Sequence, residues 1–290
     1  GITEFVNTTC PKCGGPAKRE TNSMPQWAGS SWYFLRYVDP HRDDVPFSKE
    51  NIDKWLPVDM YIGGIEHAVL HLLYARFFTK VLFDFGYINF NEPFKNLFNQ
   101  GMVCKNGAKM SKNKGNVVSP DEVVTNYGTD SLRAYEMFMG PPDQDNEWDD
   151  RGITGVFGFI KKAWRTVQKN KDLNCEATQD LIQKRHQFTQ KITERLEAFK
   201  LNTVISGLME YTNYLSQQEN VDRNNLETLV LLMSPVTPHL SEELWQELGH
   251  AESIFKSEWP TFDEELAKED KIEIPVQVNG KLRGTVFADR

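Results

Sequence analysis

The 290 residues, 39% hydrophobic and 12% aromatic with four cysteines, allow about two domains with cores of their own and exclude the disordered and disulfide-scaffold classes. No apolar run nears the roughly 20 residues that cross a bilayer, and the N-terminal GITEFVNTT has no charged region followed by an apolar one, so a soluble, cytoplasmic protein is expected. The net charge of −8 speaks against a uniformly basic nucleic-acid binder, yet Arg151 to Lys200 carries 11 Lys or Arg against 5 Asp or Glu, while Asp143 to Asp150 is mostly acidic.

In chain order, Cys10 and Cys13 form a C-x2-C followed by Gly14 and Gly15, the shape of a zinc knuckle. A closed zinc site needs four ligands, and Cys104 and Cys175 are distant and unpaired in sequence, so zinc is not expected and no metal site is assigned. Val58 to Ile62 (VDMYI) is a short apolar run ended by Gly63 and Gly64, and the HAVLHLLYARFFTKVLFDF that follows is a long apolar helix candidate. Strand, glycine turn and buried helix together make the unit of an open parallel sheet. Leu97 to Cys104 (LFNQGMVC) is expected to give a second such strand, and Asp121 to Met139 a helix opened by Pro120.

From Arg151 to about Leu248 the apolar residues recur at helical spacing, as at Phe157, Ile160, Ala163 and Trp164, which predicts a bundle of antiparallel helices. Within it SPVTPHLSEELWQEL reads as a turn into a helix with Ser241 as N-cap. KIEIPVQVNGKLRGTVF then alternates around Asn279-Gly280, a hairpin signal. The expected fold class is α/β followed by all-α, divided into residues 1–150, 151–265 and 266–290, the last being the start of a small α+β domain. A first residue other than Met and an end inside a strand-like pattern are read as signs of a piece of something longer.

Chemistry centres on two segments. KMSKNKGN, Lys109 to Asn116, gathers three lysines and no acid. Ammoniums so crowded repel one another, so the arrangement makes sense where an anion comes to rest; a solvated basic loop is the alternative. The loop is expected at the carboxyl end of a strand finishing near Val103, where Lys109 and Lys112 would neutralise charge on a departing pyrophosphate. No G-x4-G-K-[ST] phosphate loop occurs. The Gly63-Gly64-Ile65-Glu66-His67 corner occupies the corresponding place after the earlier strand. Its glycines would admit a flat group to the backbone, Glu66 would accept from ribose hydroxyls, and His67 and His71 would project from one helix face. Histidines at this spacing also suit zinc, but the metalloprotease motif puts its glutamate after the first histidine and here it precedes; two ordinary core histidines are the other alternative.

KMSKNKGN resembles the KMSKS loop of class I aminoacyl-tRNA synthetases, and YIGGIEHAVLHLLYARFF, with SSWYFLRY before it, resembles their leucyl branch. The isoleucyl and valyl enzymes lack GGIEH followed by HLLYARFF. SPVTPHLSEELW is similar to the helical anticodon-binding domain of the leucyl, isoleucyl, valyl and methionyl group. Three motifs in the family's order extend the resemblance over essentially the whole chain. It implies the second half of a Rossmann-like catalytic domain followed by a tRNA-binding helix bundle. It also implies a monomeric leucine:tRNA ligase that uses ATP with Mg2+ to form leucyl-adenylate and passes the leucyl group to tRNA(Leu). By position it implies that Lys109 and Lys112 contact the ATP phosphates, Lys112 in the transition state, with Met110 and Ser111 fixing the loop. Gly63, Gly64 and Glu66 match the adenosine and ribose site, and Gln100, Met102 and Val103 match the strand whose backbone meets adenine. Trp27, Tyr33, His67 and His71 match the leucine side-chain pocket. Lys161, Lys162, Arg165 and Lys169 are candidates for tRNA phosphates, or a solvated helix face.

The sequence departs from the family at several points. Asn113 stands where Ser is usual, and Trp27 where an aromatic of different size is often found. The short segment between Met102 and Lys109 leaves no room for a leucine-specific insertion. No H-x-G-H occurs among His41, His67, His71, His186, His239 and His250, and an editing domain is absent. The 290 residues alone are therefore expected to be inactive, and a pure RNA- and nucleotide-binding module is the alternative. A zinc-dependent RNA-binding protein built on Cys10 and Cys13 would instead carry stoichiometric metal.

Overall fold

The computed structural model describes residues 2–22, 27–268, 271–278 and 281–289. Two compact units divide the chain, Gly1–Gln100 and Gly101–Arg290.

In the first unit, α1 (Thr3–Val6) leads into an antiparallel pair, β1 (Asn7–Thr9) and β2 (Pro16–Lys18), which holds the cysteine turn between its strands. Short helices α2 (Trp27–Ser30), α3 (Tyr33–Arg36) and α4 (Lys49–Trp55) follow. The unit that matters for function is β3 (Val58–Gly64), α5 (His71–Asp84) and β4 (Phe94–Gln100), with β3 and β4 parallel and Gly63 opposite Asn99. This is the strand, crossover helix and strand expected from the sequence. The helix, however, starts at His71 and not at His67. Ile65–Val69 is a 3-10 turn, and Leu70 at φ −119 and ψ −111 leaves the helical region, separating the two pieces. Phe34, Leu35, Ile52, Ala75 and Ile88 form the core. Ala75 is fully buried, and so small a residue there lets α5 lie close to its neighbours.

The second unit opens with a hairpin, β5 (Val103–Lys105) and β6 (Ala108–Lys109), joined in parallel by β7 (Asn146–Glu147). At its tip Asn106 and Gly107 have φ of 59 and 70, the pair of left-handed residues that suits a two-residue hairpin. LFNQGMVC is thus not one strand. The Gly101 N–H donates to the Pro142 carbonyl at 3.0 Å and the Met102 N–H to the Asp145 carboxylate at 2.7 Å, which takes these donors away from any sheet ladder. A Cβ at Gly101 would meet the Gln144 carbonyl oxygen at 2.0 Å, so only glycine fits that close approach.

The helix expected over Asp121 to Met139 is two helices, α6 (Pro120–Tyr127) and α7 (Thr129–Phe138), interrupted at Gly128 with φ +85. The bundle follows as α8 (Gly152–Asn170), α9 (Gln179–Glu197), α10 (Leu201–Ser216), α11 (Arg223–Met233), α12 (Pro238–Glu247) and the short α13 (Glu264–Ala267). Val123, Ala134, Tyr135 and Trp148 share one core with Val156, Ala163, Leu208, Tyr211 and Leu229. That continuity is why the compact unit begins at Gly101, with α7 packed on both α8 and α10.

Helix α12 starts at Pro238, and Ser241 is buried inside it, not at its cap. Pro238 is pre-set for a first helical position. The acceptor comes from α7: the Asp130 carboxylate receives the Leu240 N–H at 2.7 Å and His239 Nδ1 at 2.8 Å. Strands β8 (Lys271–Val278) and β9 (Lys281–Asp289) pair antiparallel, as the hairpin signal implied; its Asn279-Gly280 turn lies outside the described residues.

Candidate nucleotide and amino-acid site

In the first unit Trp27, His67, His71 and Tyr33 form a run of rings. The Trp27 ring stands edge-on to His67 at 5.8 Å, His67 to His71 at 6.3 Å, and Tyr33 lies 6.2 Å from His71. Sequence reasoning missed their hub, Tyr61 on β3. Its hydroxyl lies 2.8 Å from the Tyr33 hydroxyl and 2.6 Å from His71 Nε2, and its ring stacks on Phe94 at 3.8 Å. The available signal was a tyrosine inside an apolar strand, because a buried phenol needs a partner.

Burial, with the Tyr33 hydroxyl second, pushes the Tyr61 phenol far above its ordinary pKa. Burial, with His67 second, pulls His71 below its ordinary value and keeps the imidazole neutral. One phenolic proton cannot serve both neighbours, so Tyr33, Tyr61 and His71 form a directional chain of hydrogen bonds. His71 Nδ1, His67 Nδ1 and Asn99 Oδ1 are buried without a partner among the described residues. Such atoms mark places where a bound group has something to satisfy.

The glycine corner behaves as the sequence suggested at one position and adds a detail at the other. A Cβ on Gly63 would meet nothing within 4 Å, leaving the backbone open to a flat ligand. A Cβ on Gly64 would fall 2.2 Å from Glu66 Oε2, so the carboxylate folds back over that backbone. Glu66 is exposed and offers acceptors.

In the second unit the lysine loop runs from the end of β6 through a 3-10 turn, Lys112–Lys114. Lys109, Lys112 and Lys114 are exposed and carry no ion pair among the described residues. Met110 packs against the hydrophobic core. The Ser111 N–H donates to the Asn116 side chain at 2.9 Å. Asn116 was not among the expected site residues. Of the expected strand, Gln100 closes β4 and Val103 opens β5, while both backbone groups of Met102 are taken by Asp145 and Asn146.

On α8, Lys162 Nζ donates to Asn213 at 2.7 Å, Lys169 Nζ donates to the Gln218 and Glu219 carbonyls, and Lys161 lies 4.0 Å over the Phe157 ring. Lys162, Arg165 and Lys169 line a cavity of about 230 Å³. No carboxylate pairs with these cations among the described residues, so their charge is uncompensated locally.

The Cys10 turn is knuckle-shaped: the Cys10 N–H donates to the Gly15 carbonyl and the Gly14 N–H to the Cys10 carbonyl, both at 2.8 Å. The N–H groups of Cys13 and Lys12 lower the Cys10 thiol pKa. Among the described residues no group of three or more His, Cys, Asp or Glu could hold a metal ion, and no helix is long and apolar enough to cross a membrane.

Two family models match the segment with the parallel strand pair, glycine corner and lysine loop and the helix bundle after it: a class I tRNA synthetase segment followed by a helical anticodon-binding domain. Residues 16–149 match the model for tRNA synthetases class I (I, L, M and V), and residues 178–286 that for the anticodon-binding domain of tRNA ligase. The chain is similar to leucine–tRNA ligases. It is 52% identical over 309 residues to that of Petrotoga mobilis, covering 99% of this chain and 37% of the relative. To that of Thermotoga maritima it is 51% identical over 304 residues, covering 97% and 37%. The solved LeuRS of Agrobacterium radiobacter K84, in a ternary complex with tRNA and LeuAMS, superposes with a TM-score of 0.86 at 36% identity, over 99% of this chain and 40% of that one. Methionyl-tRNA synthetase of Mycobacterium tuberculosis shares the fold, with a TM-score of 0.59 at 17% identity. The chain spans 37% of the length of these curated relatives.

Proposed function

We propose that the protein acts as a leucine:tRNA ligase, to which these residues contribute the leucine pocket, part of the ATP site and the tRNA-binding bundle. The leucine carboxylate attacks the α-phosphate of ATP, leucyl-adenylate forms, and pyrophosphate leaves; the leucyl group then passes to a terminal ribose hydroxyl of tRNA. Positioning and charge neutralisation supply the rate. Gly63, Gly64 and Glu66 are assigned to the adenosine and ribose, and Lys109 and Lys112 to the phosphates, with Lys112 meeting the charge that develops on pyrophosphate. Gln100, Met102 and Val103 are assigned to adenine, although the Met102 N–H is already given to Asp145, which leaves its carbonyl, with one bond from Asn146, as the group still able to accept. Trp27, Tyr33, His67 and His71 measure the leucine side chain, and Tyr61 joins them by its hydrogen bonds to Tyr33 and His71. Magnesium enters with ATP as part of the substrate, and no residue here is assigned to it. The α8 cations are assigned to tRNA phosphates, and the protein is taken to work as a cytoplasmic monomer.

The observation that carries this reading is the lysine loop: three exposed ammoniums, without an ion pair among the described residues, on a segment whose backbone is tied down. Its test is amino-acid-dependent exchange of pyrophosphate into ATP by the complete protein. Leucine is expected to exceed valine by about 10- to 200-fold, the discrimination one methylene gives an apolar pocket. No exchange with leucine, or equal exchange with valine, contradicts the assignment. For the 290 residues taken alone, the lack of any H-x-G-H favours nucleotide and RNA binding without turnover.

A further inference from the structure

We propose that Asn116 is the positioning residue of the lysine loop, holding it in the shape that presents Lys112. The inference rests on the reading above, in which Lys112 meets the leaving pyrophosphate.

Asn116 is buried, while Lys112, Asn113, Lys114 and Gly115 just before it are exposed. A buried amide must satisfy a donor group and an acceptor at once, and this one does so on the hairpin strands and the loop they carry. Its Nδ2 donates to the carbonyls of Lys105 at 3.0 Å, Ala108 at 3.2 Å and Lys109 at 3.3 Å. Its Oδ1 accepts the Ser111 N–H at 2.9 Å. One side chain therefore ties both strands of the β5–β6 hairpin to the residue immediately before Lys112. Gly115 makes this possible, because its φ of +63 turns the chain back so that Asn116 reaches under the loop. Met110 is another anchor, through packing, and packing does not fix backbone direction as the two Nδ2 hydrogens, shared among three carbonyls, and the bond accepted from Ser111 do. The exposed lysines have no ion pair among the described residues to order them, so the aim of Lys112 depends on the backbone below it.

An aspartate at this place keeps the acceptor for Ser111 but sets a carboxylate against three carbonyl oxygens. Alanine loses all four contacts. A misplacement of about 1 Å costs on the order of 100-fold in a reaction that relies on positioning.

The test compares Asn116→Ala, Asn116→Asp, Lys112→Ala and the Lys112→Ala, Asn116→Ala double variant in the complete protein. It reads pyrophosphate exchange, leucyl transfer to tRNA from preformed leucyl-adenylate, and the thermal midpoint. Asn116→Ala is expected to lower kcat for exchange by about 30- to 100-fold while transfer, which involves no ATP phosphates, stays within about twofold. The double variant is expected within about threefold of Lys112→Ala, since the two residues act through one group. Asn116→Asp, nearly isosteric, covers the case in which the alanine variant does not fold, and is expected to lose exchange in the same selective way. Unchanged exchange in the Asn116 variants, parallel loss of exchange and transfer, or multiplied losses in the double variant each overturn the inference while leaving Lys112 in place. A harmless Lys112→Ala instead defeats the underlying reading, and this inference with it.

Discussion

Tyr61→Phe removes one oxygen and leaves a ring of nearly the same shape, stacked on Phe94, so it isolates the hydrogen-bond chain from the packing. The lost hydroxyl sits 2.8 Å from Tyr33 and 2.6 Å from His71 Nε2. His71 Nδ1 already lacks a partner among the described residues, so the substitution leaves a buried imidazole with neither nitrogen satisfied by them. A buried polar group stripped of its partner costs about 1 to 3 kcal/mol. At about 1.36 kcal/mol per tenfold, that is roughly 5- to 150-fold. If the chain orients His71 against the leucine side chain, kcat/KM for leucine falls by that factor in pyrophosphate exchange. The KM for ATP stays within about twofold, because the phenol touches no part assigned to the nucleotide. A variant that melts at a lower temperature but keeps its leucine kcat/KM would refute the reasoning, since the network would then serve only the fold.

Gly64→Ala would press a methyl against the Glu66 carboxylate, which lies 2.2 Å from the new Cβ position, and is expected to raise the KM for ATP about tenfold in exchange kinetics by turning Glu66 away. An unchanged KM would detach Glu66 from the ribose. Asp130→Ala removes the hydrogen bonds from the Leu240 N–H, His239 Nδ1 and, at 3.5 Å, the His239 N–H at the start of α12 and is expected to destabilise the second unit by about 2 to 4 kcal/mol in chemical denaturation. A loss below about 0.5 kcal/mol would show that Pro238 starts the helix unaided. The pH dependence follows from His71, whose folded pKa lies below its ordinary value. Between those two values the unfolded chain binds the extra proton. Stability of the first unit is therefore complete above the ordinary histidine pKa of about 6.5 and declines as pH falls below it. Melting followed by tryptophan fluorescence checks this, and a His71→Gln variant with the same pH slope would contradict it.

Local patterns carried much of the fold. VDMYI, its two glycines and the apolar run behind them gave strand, corner and helix, and the alternation of KIEIPVQV and KLRGTVF gave the β8–β9 pair, whereas the hairpin at Asn106-Gly107 was not read. What sequence reasoning missed depends on residues far apart in the chain. The start of α12 is set by Asp130, which meets Leu240 from a separation of 110 residues, so Ser241 was the reasonable local choice and not the actual cap. LFNQGMVC breaks because Pro142 and Asp145 take the N–H groups of Gly101 and Met102, again from about 40 residues away. The split between α6 and α7 was within reach, since Gly128 at φ +85 is the kind of residue that ends helices. At the proposed site, Trp27, Tyr33, His67 and His71 were singled out by motif position, and their rings follow one another at 5.8 to 6.3 Å in the order Trp27, His67, His71, Tyr33. Tyr61 and Asn116 did not stand out because their importance lies in what their polar atoms touch. The lysines were conspicuous because like charge crowded without acid is unusual in itself.

The most direct test of the account is the single-turnover rate of leucyl-adenylate formation in the complete protein carrying Lys112→Ala, set beside its leucine affinity. Loss of a cation aimed at developing pyrophosphate charge is expected to slow adenylate formation by about 100-fold or more, with leucine affinity changed by less than about twofold. A rate equal to that of the unsubstituted protein would take Lys112 out of the reaction and contradict the assignment of the loop to ATP.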